Sequence, residues 1–367
     1  MPQTYTSSAM DIGNTIGSSF DVAIIGGGAA GCAAAITSAS AGLSTIVFDA
    51  TASPARRPGE ALHPGVEGLF RQLGILDDVA DYDPVRHSGI QVTGPSGSVF
   101  LPFGSDDVGQ WRGYQIERRD LDSMLRKRAM SAGAEVLQGT RVSRALSASE
   151  GWALETCRGV TNARFVIDAA GPSHWLTRQL ELPLTRMSPR LIARYGYAET
   201  THEMRNPELT EDAAGWSWKA FIRPGVVQWV GLPFFGDAQL PAPVGMRLRG
   251  ADVTWRVVES CAGNNYFLVG DAAAVLDPAC SHGVLRALMS GIFAATLCSA
   301  VLTRNAPSEA ASAEYRRWLL DWVCRDGLEL IRRYAQMPRP PEWLGLAATI
   351  CSEIWSVACG SHSTMPS

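Results

Sequence analysis

Residues 21–49, DVAIIGGGAAGCAAAITSASAGLSTIVFD, constrain this chain more than any other stretch. Residues 22–25 have the pattern of a short apolar strand. Gly26, Gly28 and Gly31 then give G-x-G-x-x-G and open a helix of small residues running to about Ala41. A second strand over residues 44–48 ends on the acid Asp49, which stands 23 residues after Gly26. Strand, glycine turn, helix, strand and acid in this order fit a dinucleotide site. Gly26 permits the tight turn, Gly28 lets the backbone approach a pyrophosphate beside Ala29 and Ala30, and Gly31 allows close helix–strand packing. The free N–H groups of the helix N-terminus then face the anion. A carboxylate at Asp49 accepts hydrogen bonds from ribose hydroxyls and disfavours a 2′-phosphate. The competing reading is a glycine-rich turn without a ligand.

The 367 residues suffice for two modest domains or one large one with insertions. A net charge of −4 gives no basic footprint for nucleic acid. Neither an apolar run of membrane-spanning length nor a signal peptide is expected, and residues 1–19 look like a disordered Ser/Thr-rich leader. The eight cysteines are scattered, without C-x-x-C or clustering with His, so the expectation is a reduced cytoplasmic protein that binds no metal.

Further along, residues 55–75 join a basic loop to a helical stripe, and residues 90–103 read as a hairpin around Gly94–Gly97. Helical periodicity covers residues 120–132, and short strands follow. Residues 191–258 are strand-like and aromatic, with Trp216, Trp218, Phe221, Trp229, Phe234 and Phe235. A buried strand at 266–269 leads into GDAAAVLDPACSHGVLRALMSG, and the remainder is helical. The expected division is a nucleotide-binding unit from 20–75, 105–184 and 264–305, a β-rich substrate unit from 76–104 and 185–263, and a helical segment over 306–367. Such interleaving suits a flavoprotein better than a simple dehydrogenase, whose cofactor domain is continuous.

Residues 270–291 resemble the second FAD fingerprint of the flavin hydroxylases. The segment 164–173 resembles their middle motif in its D-A-x-G form. GEALHPGVEGLFRQLG and Gly215-Trp216-Ser217-Trp218 resemble motifs of the flavin-dependent halogenases, and QIERRDLD looks like the family's Arg-containing helix start. The chain is also similar to flavoprotein maturases of tryptophylquinone enzymes. The resemblance implies an α/β fold with a Rossmann-like FAD-binding domain of glutathione-reductase type, an inserted mixed or antiparallel β-sheet, and C-terminal helices. It implies FAD as cofactor, with Asp271 accepting from ribityl hydroxyls and Pro278 to Gly283 turning a helix N-terminus towards the pyrimidine. Arg118 and Val142 join the cofactor set, and Arg57, Gly59 and Glu60 shape the loop by which flavin enters.

Departures from the halogenase pattern bear on the chemistry. The Ile-Pro end of the Trp motif is absent. The region PVRHSGIQVTG has no lysine where halogenases carry one, and Cys280, Ser281 and His282 stand where tryptophan halogenases place a Glu. With no second G-x-G-x-x-G, electrons are expected from a separate flavin reductase. Three function classes stay open. The first is an FAD-dependent monooxygenase working through a flavin C4a-hydroperoxide on an aromatic or indole-like molecule, or on a Trp side chain of a partner protein. The others are a halogenase with an unusual site, and a non-oxygenating flavin reductase or FAD-holding partner. His282 and His63 are the candidate catalytic groups, with His87 behind them, and Trp216 and Trp218 the candidate substrate contacts.

Overall fold

The computed structural model describes residues 19–359, apart from 55, 56, 149, 150, 202, 203, 205, 237 and 239. The expected leader, but for Ser19, and Arg56 of the basic loop lie outside the described residues. The fold is α/β, with a Rossmann-type layer, several mixed sheets and C-terminal helices. Strand β1 (Ser19–Ile25) runs into helix α1 (Ala29–Ser40) and strand β2 (Thr45–Asp49). Helix α2 (Arg118–Ser131) leads to β3 (Glu135–Gln138). Strand β4 (Gly159–Asp168) and strand β5 (Tyr266–Leu268) complete a parallel layer in the order β3-β2-β1-β4-β5. The first half of β4 also pairs antiparallel with Gly151–Thr156. Val22, Ala23, Ile24, Ile46 and Val47 are wholly buried, as expected of strands covered on both faces.

Helix α1 is buried almost all round because it lies between this sheet and helix α3 (Gly283–Arg304). Its Ala-rich sequence suits both helix propensity and close approach. A Cβ on Gly291 of α3 would stand 2.2 Å from the Ala30 carbonyl oxygen, so only glycine fits that crossing. The expectation that no apolar run reaches spanning length is corrected here. Among the described residues α3 is long and apolar enough to cross a membrane by length and composition, and half of that stretch is buried inside the protein. The Ser and Thr residues that argue against spanning in the sequence are satisfied within the helix. Thr296 and Thr303 return their hydroxyls to carbonyls of the preceding turn, and Ser290 to Ala287.

The second sheet has seven strands, in the order Arg249–Asp252, Ile192–Glu199, Val226–Pro233, Gly215–Arg223, Glu208–Glu211, Gly89–Gly94, Gly97–Pro102. The expected hairpin over 90–103 forms its free edge. Register sets Tyr197 opposite Gln228, which brings both to one buried partner. Helix α4 (Ser308–Ala335) and helix α5 (Leu344–Cys359) close the chain, with a break over 336–343 at the Arg339-Pro-Pro sequence.

Candidate active site

The dinucleotide turn has the geometry its sequence implies. Gly26 sits at φ +108°, and a Cβ there would meet the Ala169 oxygen at 2.3 Å. A Cβ on Gly31 would stand 1.9 Å from the Gly26 oxygen. Gly28 is the N-cap of α1 and offers no capping side chain, which leaves the first N–H groups free for an anion. The Arg57 guanidinium lies over this turn, 3.0 Å from where a Gly28 Cβ would be, and pairs with Asp122 at 2.6 Å. Arg118 shares Asp122 at 3.2 Å, and its Nε is buried without a partner among the described residues. Gly59, at φ +105°, backs directly onto Arg118. Asp271 is exposed in the groove and has no hydrogen-bond partner among the described residues. Enclosure by protein pushes its carboxyl up, while Arg118, Arg57 and Arg256 pull it back. Open anion-binding N–H groups, an unpaired arginine nitrogen and an unpaired carboxylate are what FAD requires, so these residues fit the cofactor.

Two members of the cofactor set sit differently. Both oxygens of Asp49 are engaged, Oδ1 by the Thr51 amide and hydroxyl and Oδ2 by Arg126 at 2.5 Å, so a ribose would share them. Val142 is buried at 3% exposure, so its side chain is not open to a ligand. Asp168 of the middle motif binds the Ala170 and Leu176 amides, at 2.8 and 2.7 Å, and so holds its own turn.

The second fingerprint ends in a rigid turn. Asp277 is fully buried and accepts from the Ala279 amide, Trp255 Nε1 and the Tyr334 hydroxyl, the last at 2.7 Å to each oxygen. Tyr334 accepts from Trp216 Nε1 at 3.0 Å. The turn carrying Pro278 to Gly283 is therefore anchored to α4 and to the second sheet at once. Pro278 and Gly283 are both exposed on it.

Beside that turn lies a cavity of about 310 Å³, whose walls include His63, His87, Ile90, Phe103, Trp218 and Cys280 to His282. Helix α4 contributes Asp326, Glu329, Leu330 and Arg333 from one face. The His63 and His282 rings meet edge to face at 5.4 Å, and Phe103 lies 5.7 Å from His63 and 5.4 Å from His87. His282 is the N-cap residue of α3, but its side chain makes no cap bond. Its Nδ1 instead meets Asp326 Oδ2 at 3.2 Å, and Arg286 grips both oxygens of the same carboxylate at 3.0 and 2.9 Å. Burial opposes the charge of Asp326, yet the bonds from His282 and Arg286 outweigh it and hold the carboxyl below its usual range. Burial lowers His63, and positive charge nearby, from Arg286 and from His282 whenever that ring is protonated, adds to the effect. Burial, then Arg86 and Arg112, brings His87 down to about 4. Burial pushes the Cys280 thiol up to about 12, which leaves it unreactive at neutral pH.

Of the residues singled out from sequence, His63, His87, His282 and Trp218 converge on the cavity, and Trp216 does not. Trp216 is 2% exposed and its indole is spent on Tyr334. Glu60, at 1% exposure, accepts from Tyr197 and Gln228 and ties the loop of residues 57–60 to the second sheet. Burial raises it to about 7, against those two bonds. Sequence reasoning missed Asp326, Glu329 and Arg333, whose only signal was a run of charges within the apolar pattern of α4. It also missed His174, which accepts from Arg256 Nε at 2.7 Å and meets the Ala272 carbonyl at 3.0 Å, linking the two late motifs.

Known proteins bear the same stamp. A menaquinone reductase of Mycobacterium tuberculosis is 27% identical, covering 90% of this chain and 86% of its own length. A pyrrole-2-carbonyl carrier-protein brominase of Pseudoalteromonas luteoviolacea is 24% identical, covering 78% of this chain and 79% of its own. The solved flavin-dependent halogenase CmlS superposes with a TM-score of 0.79 at 22% identity, over 89% of this chain and 67% of that one. The myxobacterial chondrochloren halogenase CndH gives 0.79 at 20% identity, over 90% and 86%. Those two likenesses concern the fold. The model of the FAD binding domain family matches residues 19–228, more than half of the chain, and so the chain belongs to that family and is a flavoprotein of the FAD-dependent oxidoreductases.

Proposed function

We propose that the protein is an FAD-dependent monooxygenase that hydroxylates an aromatic ring bound in the cavity beside residues 278–283. The observation that carries the reading is the pairing of an aromatic and aliphatic wall with two histidines next to the second fingerprint. Bound FAD, once reduced, supplies electrons and the means to activate dioxygen. Trp218, Phe103, Leu62 and Ile90 give an electron-rich ring a dry face to lie against. His63 and His282 hold or pass a proton at the cavity wall, for which general acid catalysis supplies roughly 10²–10⁴-fold. Electrons come from a separate flavin reductase in this reading, since only one dinucleotide fingerprint is present. A substrate ring carried by a partner protein, such as a Trp side chain, is also accommodated. The free edge strand Gly97–Pro102 exposes Val99, Phe100 and Leu101 just before Phe103.

A second reading has its own support. The relative from M. tuberculosis is a menaquinone reductase by name, which suggests reduction of a quinone-linked or alkene substrate without oxygen. Mass spectrometry of aromatic, indole and quinone substrates, free and protein-borne, separates the two after incubation with enzymatically reduced FAD. A product gaining one oxygen, only in air, supports the first reading. A product gaining two hydrogens, in nitrogen as in air, sinks it in favour of the second.

A further inference from the structure

His63 Nδ1 accepts the Gly65 backbone N–H at 3.0 Å. A backbone amide only donates, so that nitrogen bears a lone pair, and the proton of the neutral ring is on Nε2. His282 is the reverse case. Its Nδ1 faces a carboxylate, which only accepts while ionised, so Nδ1 carries the proton. Arg286 holds the same carboxylate with two bonds, and in the neutral ring, whose one proton is on Nδ1, Nε2 keeps its lone pair. Neither Nε2 has a protein partner among the described residues, although both rings line the cavity. No group of His, Cys, Asp or Glu among the described residues is arranged to hold a metal.

We propose that the Gly65 amide and Asp326 lock His63 and His282 in opposite tautomers, so that the pair presents one donor and one acceptor to a hydroxyl group on the ligand ring. A hydroxyl both donates and accepts, and is complementary to such a pair. An indole N–H uses only the acceptor, and an ether only the donor. An independent feature points to a polar ligand in the same space. His87 is 4% exposed, lines the cavity, and has a buried Nδ1 without a partner among the described residues. An unmet buried polar atom is costly, and a polar ligand atom would relieve it. Asp326 is thus a positioning residue, brought by α4 to a site whose other histidine stands just before the helix Val66–Leu73.

This inference rests on the cavity being the substrate site, but it is tested without turnover. Long-range proton–nitrogen NMR spectra of the ¹⁵N-labelled protein at pH 7.5 should give His63 as the Nε2–H form and His282 as the Nδ1–H form. One tautomer in both rings, or protons on both nitrogens of His282, overturns the proposal. Phenol, anisole and toluene then serve as probes of the protein loaded with oxidised FAD. Phenol should bind about tenfold tighter than anisole, one hydrogen bond's worth, with toluene weakest. Asp326→Asn should bring phenol and anisole close together while leaving toluene unchanged. Equal binding of phenol and anisole to the native protein overturns the proposal even if the variant misfolds. Where the probes discriminate but no substrate is ever oxygenated, the monooxygenase reading falls and this one stands.

Discussion

At the scale of single residues, Glu60 is the group whose burial has the clearest consequence. A carboxyl raised from 4.5 to about 7 binds a proton in the folded protein that the unfolded chain has already lost across that interval. Its contribution to stability is therefore complete below about 4.5 and is lost as pH rises through about 7. The size is on the order of 3 kcal/mol, since each tenfold gain in proton affinity on folding is worth roughly 1.4 kcal/mol. Gln228 and Tyr197 limit the loss by donating to the ionised form. Glu60→Gln keeps the shape and removes the titration. Urea unfolding of the FAD-free proteins at pH 5 and pH 8 should show the native protein losing more stability on alkalinisation than the variant. Parallel losses in the two would show that Glu60 is ionised throughout.

At the scale of elements, the turn from Asp277 to Ser281 owes its position to two distant pieces of chain. Tyr334 of α4 and Trp216 of the second sheet complete one hydrogen-bonded chain that ends on its buried carboxylate. Tyr334→Phe would orphan the Trp216 indole and leave Asp277 with the Ala279 amide and Trp255 alone. The expected cost is about 1–3 kcal/mol, read as a lower denaturation midpoint, together with weaker FAD binding because the turn is freed. Undiminished stability and flavin affinity would mean that the turn holds itself. The elements here were largely legible. The glycine turn, the Ala-rich helix, the hairpin at 90–103 and the Pro-broken C-terminal helices follow from local pattern, which local sterics enforce. The contacts that finish the site were not. Asp326 meets His282 and Arg286 from 44 and 40 residues away, and no periodicity records which face of α4 will find them. Trp216 and Trp218 share a strand face, but whether a ring meets cavity or core depends on the helix packed beyond it.

At the scale of the whole molecule, a chain of 367 residues contains only two lysines, and their places decide what the halogenase likeness can mean. Lys127 is exposed on α2, in the nucleotide layer. Lys219 lies in the second sheet opposite Glu208 and Trp229, and is not part of the cavity wall. The strands Val85–His87 and Gly89–Gly94, which follow the helices Val66–Leu73 and Leu76–Asp81 and supply His87 and Ile90 to the cavity, offer no side-chain amine at all. The resemblance to halogenases implies a lysine in that region to handle hypohalous acid. The cation on the cavity wall is instead Arg333, already bound to Glu211, and Arg286 stands behind the wall on Asp326. An arginine stays protonated and cannot give up a proton to form a covalent haloamine as lysine can. The expected outcome is that chloride or bromide changes nothing. With reduced FAD, air and an electron-rich aromatic probe, product spectra should be the same with and without bromide, added at a concentration on the order of millimolar and low enough to leave surface charges largely unscreened. Peroxide scavengers must be present, because free peroxide and bromide brominate such rings unaided. A brominated product that survives the scavengers and disappears when FAD is left oxidised would show that this cavity halogenates without the lysine.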